Sequence, residues 1–361
     1  MVYEILKGKL KMKNYLEKIN PTLKEYYEIL SPEIPDFLAD YINTEAMQKQ
    51  NGISVTCGTY YSDMYDQVWY SSLDHSIAVA LIIWNFTKDR KQTLSGLFHD
   101  IATPVFKHCI DFMNKDYEKQ ESTEELTTKL IKDSKEIMDL LKRDGIKIEE
   151  INDYHIYPIA DNDTPMLSSD RLEYTLSNGY GVTEKLWGLD DIKEVYQDIV
   201  ILKNEKGIDE LGFKSIEKAE KFVLTMSKLS RLYRRNKTKF TMQFLADTMK
   251  KMSEAGLVTV DDLYKYSEAE VMKMIEDCSL ENVSECFKSW KTAKQIKESD
   301  NKPEDVFFVS IDNVKVRYIN PLVLVDGKAK RIMDVSDVAK DAIEKAREYK
   351  TKKYAYLDFK Y

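Results

Sequence analysis

The sequence predicts a mainly α-helical protein that closes in a small region containing a β-hairpin. Three observations carry this. Apolar residues recur at helical spacing through most of the 361-residue chain, with Ser, Thr and Asp standing where helix caps belong. Beyond about residue 301 the pattern changes to β-rich runs around an Asp326-Gly327 pair. No GxGxxG, GxxxxGKS/T or GxSxG motif opens a helix, which leaves Rossmann, P-loop and α/β-hydrolase architectures without support.

Taken in order, "LEKINPTLKEYYEILSPEIPDFLADYIN" (16–43) has helical spacing broken at Pro21, Pro32 and Pro35, so short helices joined by turns are expected. "ISVTCGTYYSDMYDQVWYSS", with Gly58 and many aromatics, reads as a loop leading into a helix. "DHSIAVALIIWNFT" is nearly all apolar after Ser76 and long for a strand, which predicts a buried helix with an aspartate able to cap it. "KQTLSGLFHDIATPVF" predicts a helix ending near Pro104, whose ring would cost a helix interior about 3 kcal/mol. Further helices are expected at 122–143, 168–177, 190–202, 215–233 and 237–255, and Thr259 ahead of two aspartates starts another. "DVFFVSIDNVKVRY" and "PLVLVDGKAKRI" read as β, and "DVSDVAKDAIEKAREYKTKKY" as a closing helix. The chain thus divides into an N-terminal helical segment (1–50), a helical domain (51–255), a helical extension (256–300) and a β-rich C-terminal region with a final helix (301–361).

With 43% hydrophobic and 32% charged residues the composition is that of a globular protein. A net charge of −8 argues against general affinity for nucleic acid or an anionic membrane, so an anionic ligand needs a local site. Cys57, Cys109, Cys278 and Cys286 lack a CxxC spacing and suit reduced thiols buried as small core residues. The first residues contain no continuous apolar run and no stretch approaches a membrane span, so a cytoplasmic location and no membrane partner are expected. Homo-oligomerisation is left open. "SRLYRRNKTK" (230–239) is a basic run that reads either as a solvated helix end or as a surface facing an anionic ligand or partner chain.

The informative stretch is "LFHDIATPVFKH", which holds two of only four histidines: His99 beside Asp100, and His108 eight residues after that aspartate. His75 lies near the start of the preceding helix and Asp170 at the start of a later one, where the helix dipole favours a carboxylate. Two imidazoles and two carboxylates make a mixed N/O set suited to one divalent transition metal ion, Mn, Fe, Ni, Co or Zn. The alternative is that the histidines are hydrogen-bonded core residues and the aspartates helix caps.

The order H…HD…D in helical context resembles the HD superfamily of metal-dependent phosphohydrolases, through His75 in "LDHSIAVAL", His99-Asp100 in "LFHDIATPVFKH" and Asp170 in "SSDRLEY". The match to HDxxxxPFxH extends to Phe106 and His108, with Pro104 one position early, and is most similar to the deoxynucleoside triphosphate triphosphohydrolase branch. The resemblance covers residues from about 50 to 180 and continues weakly through "GLVTVDDLYKYSEAEV". It implies an HD-type helical core binding His75, His99, Asp100 and Asp170 to a metal, and a small phosphorylated substrate, a nucleotide in that branch. It further implies that Arg171 contacts phosphate and Tyr174 the sugar. An Arg offers a bidentate fork for phosphate, and Tyr174 lies one helical turn from Asp170.

Four departures qualify this. Thr103, Gln120, Ser72 and Asn178 stand where the family carries a catalytic His or Glu, a second His, a phosphate-binding Arg and an acid. His108 and Glu121 remain as candidates to position or deprotonate water, and His155 could serve a second ion, although a mononuclear site is favoured. The leading functional expectation is a metal-dependent phosphohydrolase. The alternatives are a catalytically weakened metal- or nucleotide-binding module and a nucleoside monophosphate phosphatase or phosphodiesterase.

Overall fold

The computed structural model describes residues 15–118 and 126–361. The helices of nine or more residues are α1 (Pro21–Leu30), α2 (Ser72–Thr87), α3 (Arg90–Phe98), α4 (Lys135–Asp144), α5 (Ser169–Ser177), α6 (Leu189–Gln197), α7 (Ile216–Arg234), α8 (Asn236–Glu254), α9 (Glu268–Glu276), α10 (Glu281–Thr292) and α11 (Asp337–Arg347). Among the described residues seven short strands accompany them: β1 (Ile199–Lys203), β2 (Asp209–Phe213), β3 (Lys297–Ser299), β4 (Phe308–Val309), β5 (Leu322–Val325), β6 (Lys328–Arg331) and β7 (Tyr354–Tyr356). The mainly helical class with a small β region is therefore what the molecule adopts.

Local chemistry explains the elements that build the site. α2 opens on a reciprocal capping box between Ser71 and Asp74, and every residue from Ser72 to Ile83 is buried. Burial on all sides, rather than along one stripe, puts this helix at the centre of a core. Asp89 caps α3 by accepting the N–H groups of Lys91 and Gln92, and α3 folds back against α2. The approach is close: a Cβ on Gly96 would lie 2.2 Å from Ile83 Cδ1. Ser168 caps α5 at the Arg171 N–H, which sets Asp170 in the first turn.

The strands form one sheet in the order β1-β2-β5-β6 and another in the order β3-β7-β4. Asp326 and Gly327 turn the β5–β6 hairpin with φ of 50° and 74°, the left-handed pair that Asp-Gly favours. Several elements differ from expectation: the helix expected to end near Pro104 stops at Phe98, and the closing helix stops at Arg347 ahead of β7. The helix expected at 190–202 stops at Gln197, because the Ile199-Val200-Ile201 run suits extended backbone and pairs antiparallel with 209–213. The expected 122–143 helix is interrupted at Ser134, which ends the Thr127–Asp133 helix and caps α4; its first residues lie outside the described range. "DVFFVSIDNVKVRY" contributes only β4, and a later donor in it goes to a loop instead, Lys315 N–H to Tyr117 O.

Two large apolar cores result among the described residues, beside a small cluster of Val79, Ile83 and Ala160. The first gathers Leu73, Ile77 and Leu81 of α2 with Tyr27, Leu97, Phe98 and Phe222. The second surrounds α8, joining Phe240 and Phe244 to Phe106, Phe112, Phe287 and Trp290. A cavity opens where they meet, lined by Tyr174, which packs on the first core, and by Met242 of the second.

Candidate metal centre

All four histidines of the chain line this cavity of about 530 Å³. His75 sits in the first turn of α2 and His99 caps the C-terminus of α3, so the packing of α3 on α2 brings the rings together. Their Nε2 atoms are 3.2 Å apart. Asp170 Oδ1 lies 3.0 Å from His75 Nε2 and 3.8 Å from His99 Nε2. One ligand atom from each of the three lies within 4.8 Å of the others.

The far nitrogen of each ring is engaged by an acceptor, which fixes the tautomer. His99 Nδ1 donates to Gly96 O at 2.7 Å, and His75 Nδ1 to Glu173. Both Nε2 atoms are thereby the ring nitrogens that face the cavity, and a metal ion would bind them on displacing a proton. Glu173 is fully buried and also accepts Tyr26 and Tyr70 hydroxyls at 3.0 and 2.7 Å. Burial pulls the His75 pKa down, but the Glu173 charge and the hydrogen bonds to Asp170 and Glu173 raise it to about 10. Burial would raise Asp170, yet His75 and His99 hold it well below the usual carboxylate range. Two imidazoles with buttressed Nδ1 atoms and one adjacent carboxylate are a donor set that fits a divalent transition metal.

Asp100 borders the trio, with Oδ2 3.8 Å from His99 Nε2. That oxygen accepts Ser72 Oγ at 3.2 Å and Lys107 Nζ at 2.5 Å. Against burial, Lys107 holds the Asp100 pKa far below its ordinary value, and Asp100 raises that of Lys107. The lysine reaches back because Phe106 and Lys107 adopt φ of 60° and 43°. Successive non-glycine residues in this region cost about 1–3 kcal/mol each and persist only where surroundings enforce them. Here Phe106 is fully buried, its N–H meets Glu268 Oε1 at 3.3 Å, and the Val105 N–H meets Leu263 O at 2.8 Å.

His108 also faces the cavity, and its Nδ1 pairs with the buried Asp111 at 2.8 Å. Burial lowers its pKa below the ordinary histidine value despite that carboxylate. Arg171 and Tyr174 line the same space. The Arg171 guanidinium is engaged with Asp161, Asn162 and Ser168, so its fork points into the 161–168 loop. Thr103 and Asn178 are part of the lining too. His155 is half-exposed, with Asp153 at 2.9 Å and Asp161 at 3.5 Å. Glu121 and Gln120 lie outside the described residues.

Sequence reasoning overlooked Glu173, Asp111, Lys107, Lys315 and Arg317, the last three of which line the cavity. Leu232, Tyr233, Arg235 and Thr238 of the basic 230–239 run line it as well. Glu173 had a signal: it stands three residues after Asp170, on the same helical face. Lys315 and Arg317 had none, being brought there by a distant irregular segment.

The fold has solved counterparts. A hypothetical protein from Aquifex aeolicus superposes with a TM-score of 0.61 at 17% identity, over 90% of this chain and 93% of that one. A phosphohydrolase from Bacteroides thetaiotaomicron VPI-5482 gives 0.57 at 15% identity, over 91% and 97%. These likenesses establish a shared fold. In sequence the chain is 24% identical over 329 residues to the uncharacterized protein YdhJ of Bacillus subtilis (strain 168), covering 90% of this chain and 95% of that protein. No family model matches. No helix among the described residues is long and apolar enough to cross a membrane.

Proposed function

We propose that the protein is a metal-dependent phosphohydrolase of the HD type, acting on a phosphate ester or anhydride of a nucleotide. The observation that carries this is the convergence of His75, His99 and Asp170 in a cavity also lined by Lys107, Arg171, Arg235 and Arg317. Metal donors and cations sharing one cavity are what a phosphate bridging the two requires. The phosphohydrolase from Bacteroides thetaiotaomicron, which has this fold, supports the same class.

His75, His99 and Asp170 would hold the ion, with Asp100 as a fourth ligand. A bound divalent ion polarises a phosphoryl oxygen and lowers the pKa of an attacking water. Glu173 keeps His75 oriented and its Nδ1 protonated. His108, neutral through burial and aligned by Asp111, accepts a proton from water at Nε2. The cations bind and orient the phosphate, and the cavity tyrosines 154, 174 and 233 offer ring faces to a base or sugar.

The test is hydrolysis by protein reconstituted with Mn²⁺, Co²⁺ or Ni²⁺ against nucleoside mono-, di- and triphosphates and cyclic nucleotides, with each product identified. Triphosphate, orthophosphate or a linear monophosphate would assign the bond cleaved. Metal uptake with no turnover of any compound would sink the enzyme reading.

A further inference from the structure

We propose that Lys107 contacts the phosphate of the substrate and reaches it by exchanging partners, its ammonium resting on Asp100 until a divalent ion claims that carboxylate. The inference deepens the phosphohydrolase reading and rests on it.

Its basis is where the lysine is held. Lys107 Nζ lies 2.5 Å from Asp100 Oδ2, an oxygen itself 3.8 Å from His99 Nε2. The ammonium therefore sits one side chain away from the His75–His99–Asp170 trio. The cavity's cations differ in what engages them. Arg171 is tied to Asp161, Asn162 and Ser168, none of which belongs to the trio. Lys107 is tied to a carboxylate that an incoming ion would also seek. The pairing and the ion compete for Asp100, and both competitors are positive, so occupancy by one displaces the other.

Displacement leaves a buried ammonium, nine-tenths enclosed, in need of a new acceptor. Its four-carbon stem and three donors allow that exchange by side-chain rotation alone. The cavity offers it the phosphoryl oxygens that the ion would be holding. The backbone agrees with a dedicated role: Phe106 and Lys107, at the turn that carries this side chain, are both left-handed. Strain of this sort is retained where a side chain must be aimed.

The experiment uses Lys107→Met and Lys107→Arg with two probes, Mn²⁺ alone and inorganic phosphate added to Mn²⁺-loaded protein, both followed by calorimetric titration, with melting curves to verify folding. Lys107→Met should bind Mn²⁺ more tightly, by roughly tenfold, because a competing cation is gone. It should bind phosphate more weakly, by roughly 10- to 100-fold, because a charged hydrogen bond is lost. Lys107→Arg should keep phosphate affinity within a few-fold of wild type. Opposite signs are the discriminating result: a lysine that only steadies Asp100 would weaken Mn²⁺ binding or leave it unchanged, and either outcome overturns the inference. So does unchanged phosphate affinity in Lys107→Met, or, if that variant fails to fold, in Lys107→Gln. A wild type that hydrolyses no phosphate compound refutes the phosphohydrolase reading separately, with the two titrations still deciding the role of Lys107. A wild type that takes up no Mn²⁺ overturns both.

Discussion

The two walls of the cavity are built from different materials. One carries His75, His99 and Asp170 on or at the ends of regular helices, α2, α3 and α5, each begun by a side-chain cap. The other carries Lys107 and His108 on a turn with left-handed backbone, along with Arg317 from an irregular segment. Each wall is backed by one fully buried glutamate. Glu173, behind the helical wall, has acceptor contacts with Tyr26, Tyr70, Ser177 and His75. Glu268, behind the turn, receives the Phe106 N–H but leaves Oε2 without a partner. On the proposed function this is a division of labour: capped helices would fix donors whose spacing an ion must find unchanged, while a strained turn would supply groups that meet a substrate.

The largest effect should come from breaking the helical wall. His99→Ala and Asp170→Asn each remove a donor, and the several kcal/mol that an ion contributes to a phosphoryl transition state correspond to about 10³-fold or more in rate. Both variants should lose activity to background while circular dichroism stays helical. Loaded wild type should also melt above EDTA-treated wild type, since about 4 kcal/mol follows from ligand at a thousandfold excess over its dissociation constant. Equal melting points would count against an integral ion.

Breaking the turn wall should cost less and act differently. His108→Ala should lower kcat by about 10² to 10⁴, the range of general acid–base catalysis, with Mn²⁺ affinity unchanged. Burial depresses the His108 pKa below the ordinary 6.5, so the ring is neutral at neutral pH. A base with a depressed pKa loses activity only as pH falls below that value, and this acidic limb should vanish in His108→Ala. If it persists, the proton acceptor lies elsewhere.

The same contrast explains what could be read in advance. His75, His99, Asp100 and Asp170 stand at helix ends that caps and apolar periodicity mark, so their proximity was accessible to pattern and to family resemblance. The mainly helical class and the Asp326-Gly327 hairpin were accessible for the same reason: local chemistry decides them. Lys107 was hidden because its aim depends on two φ values that no helix or strand pattern encodes. Lys315 and Arg317 were hidden because the run read as strand is irregular there, with the Lys315 N–H given to Tyr117 O. Strand β1 was taken for helix because its pairing with β2 is a tertiary fact.

Of intermediate size is the effect of loosening the helical wall without removing a donor. Glu173→Gln keeps the shape but weakens the hold on His75 Nδ1. Outer partners of metal-binding histidines typically account for about 10- to 100-fold in affinity, so Mn²⁺ binding should weaken by that factor while the His108-dependent limb of the pH profile stays where it was. A variant that shifts the limb and spares the affinity would mean that the two walls are not separable.

The smallest effect concerns Glu268, whose burial predicts a pH dependence of stability. Burial pushes the Glu268 carboxyl up to about 8 from 4.5, against the pull of the Ser54 and Phe106 backbone groups and of Lys107 and Lys49. Between these two values the unfolded chain has released the proton and the folded chain still holds it, so this group makes stability fall as pH rises from 4.5 to 8. Lys49, which burial lowers to about 8 from 10.5, acts with the opposite sign in the window above, where the unfolded chain binds the proton that the folded one has lost. The two windows therefore do not overlap. Glu268→Gln can still accept the Phe106 N–H, and it should flatten the lower window and gain on the order of 1 kcal/mol at neutral pH, after allowing for the amide donors it must satisfy. Urea denaturation of wild type and Glu268→Gln at pH 5, 6.5 and 8 measures this, and parallel pH dependences for the two proteins would show that Glu268 is ionised in the folded state.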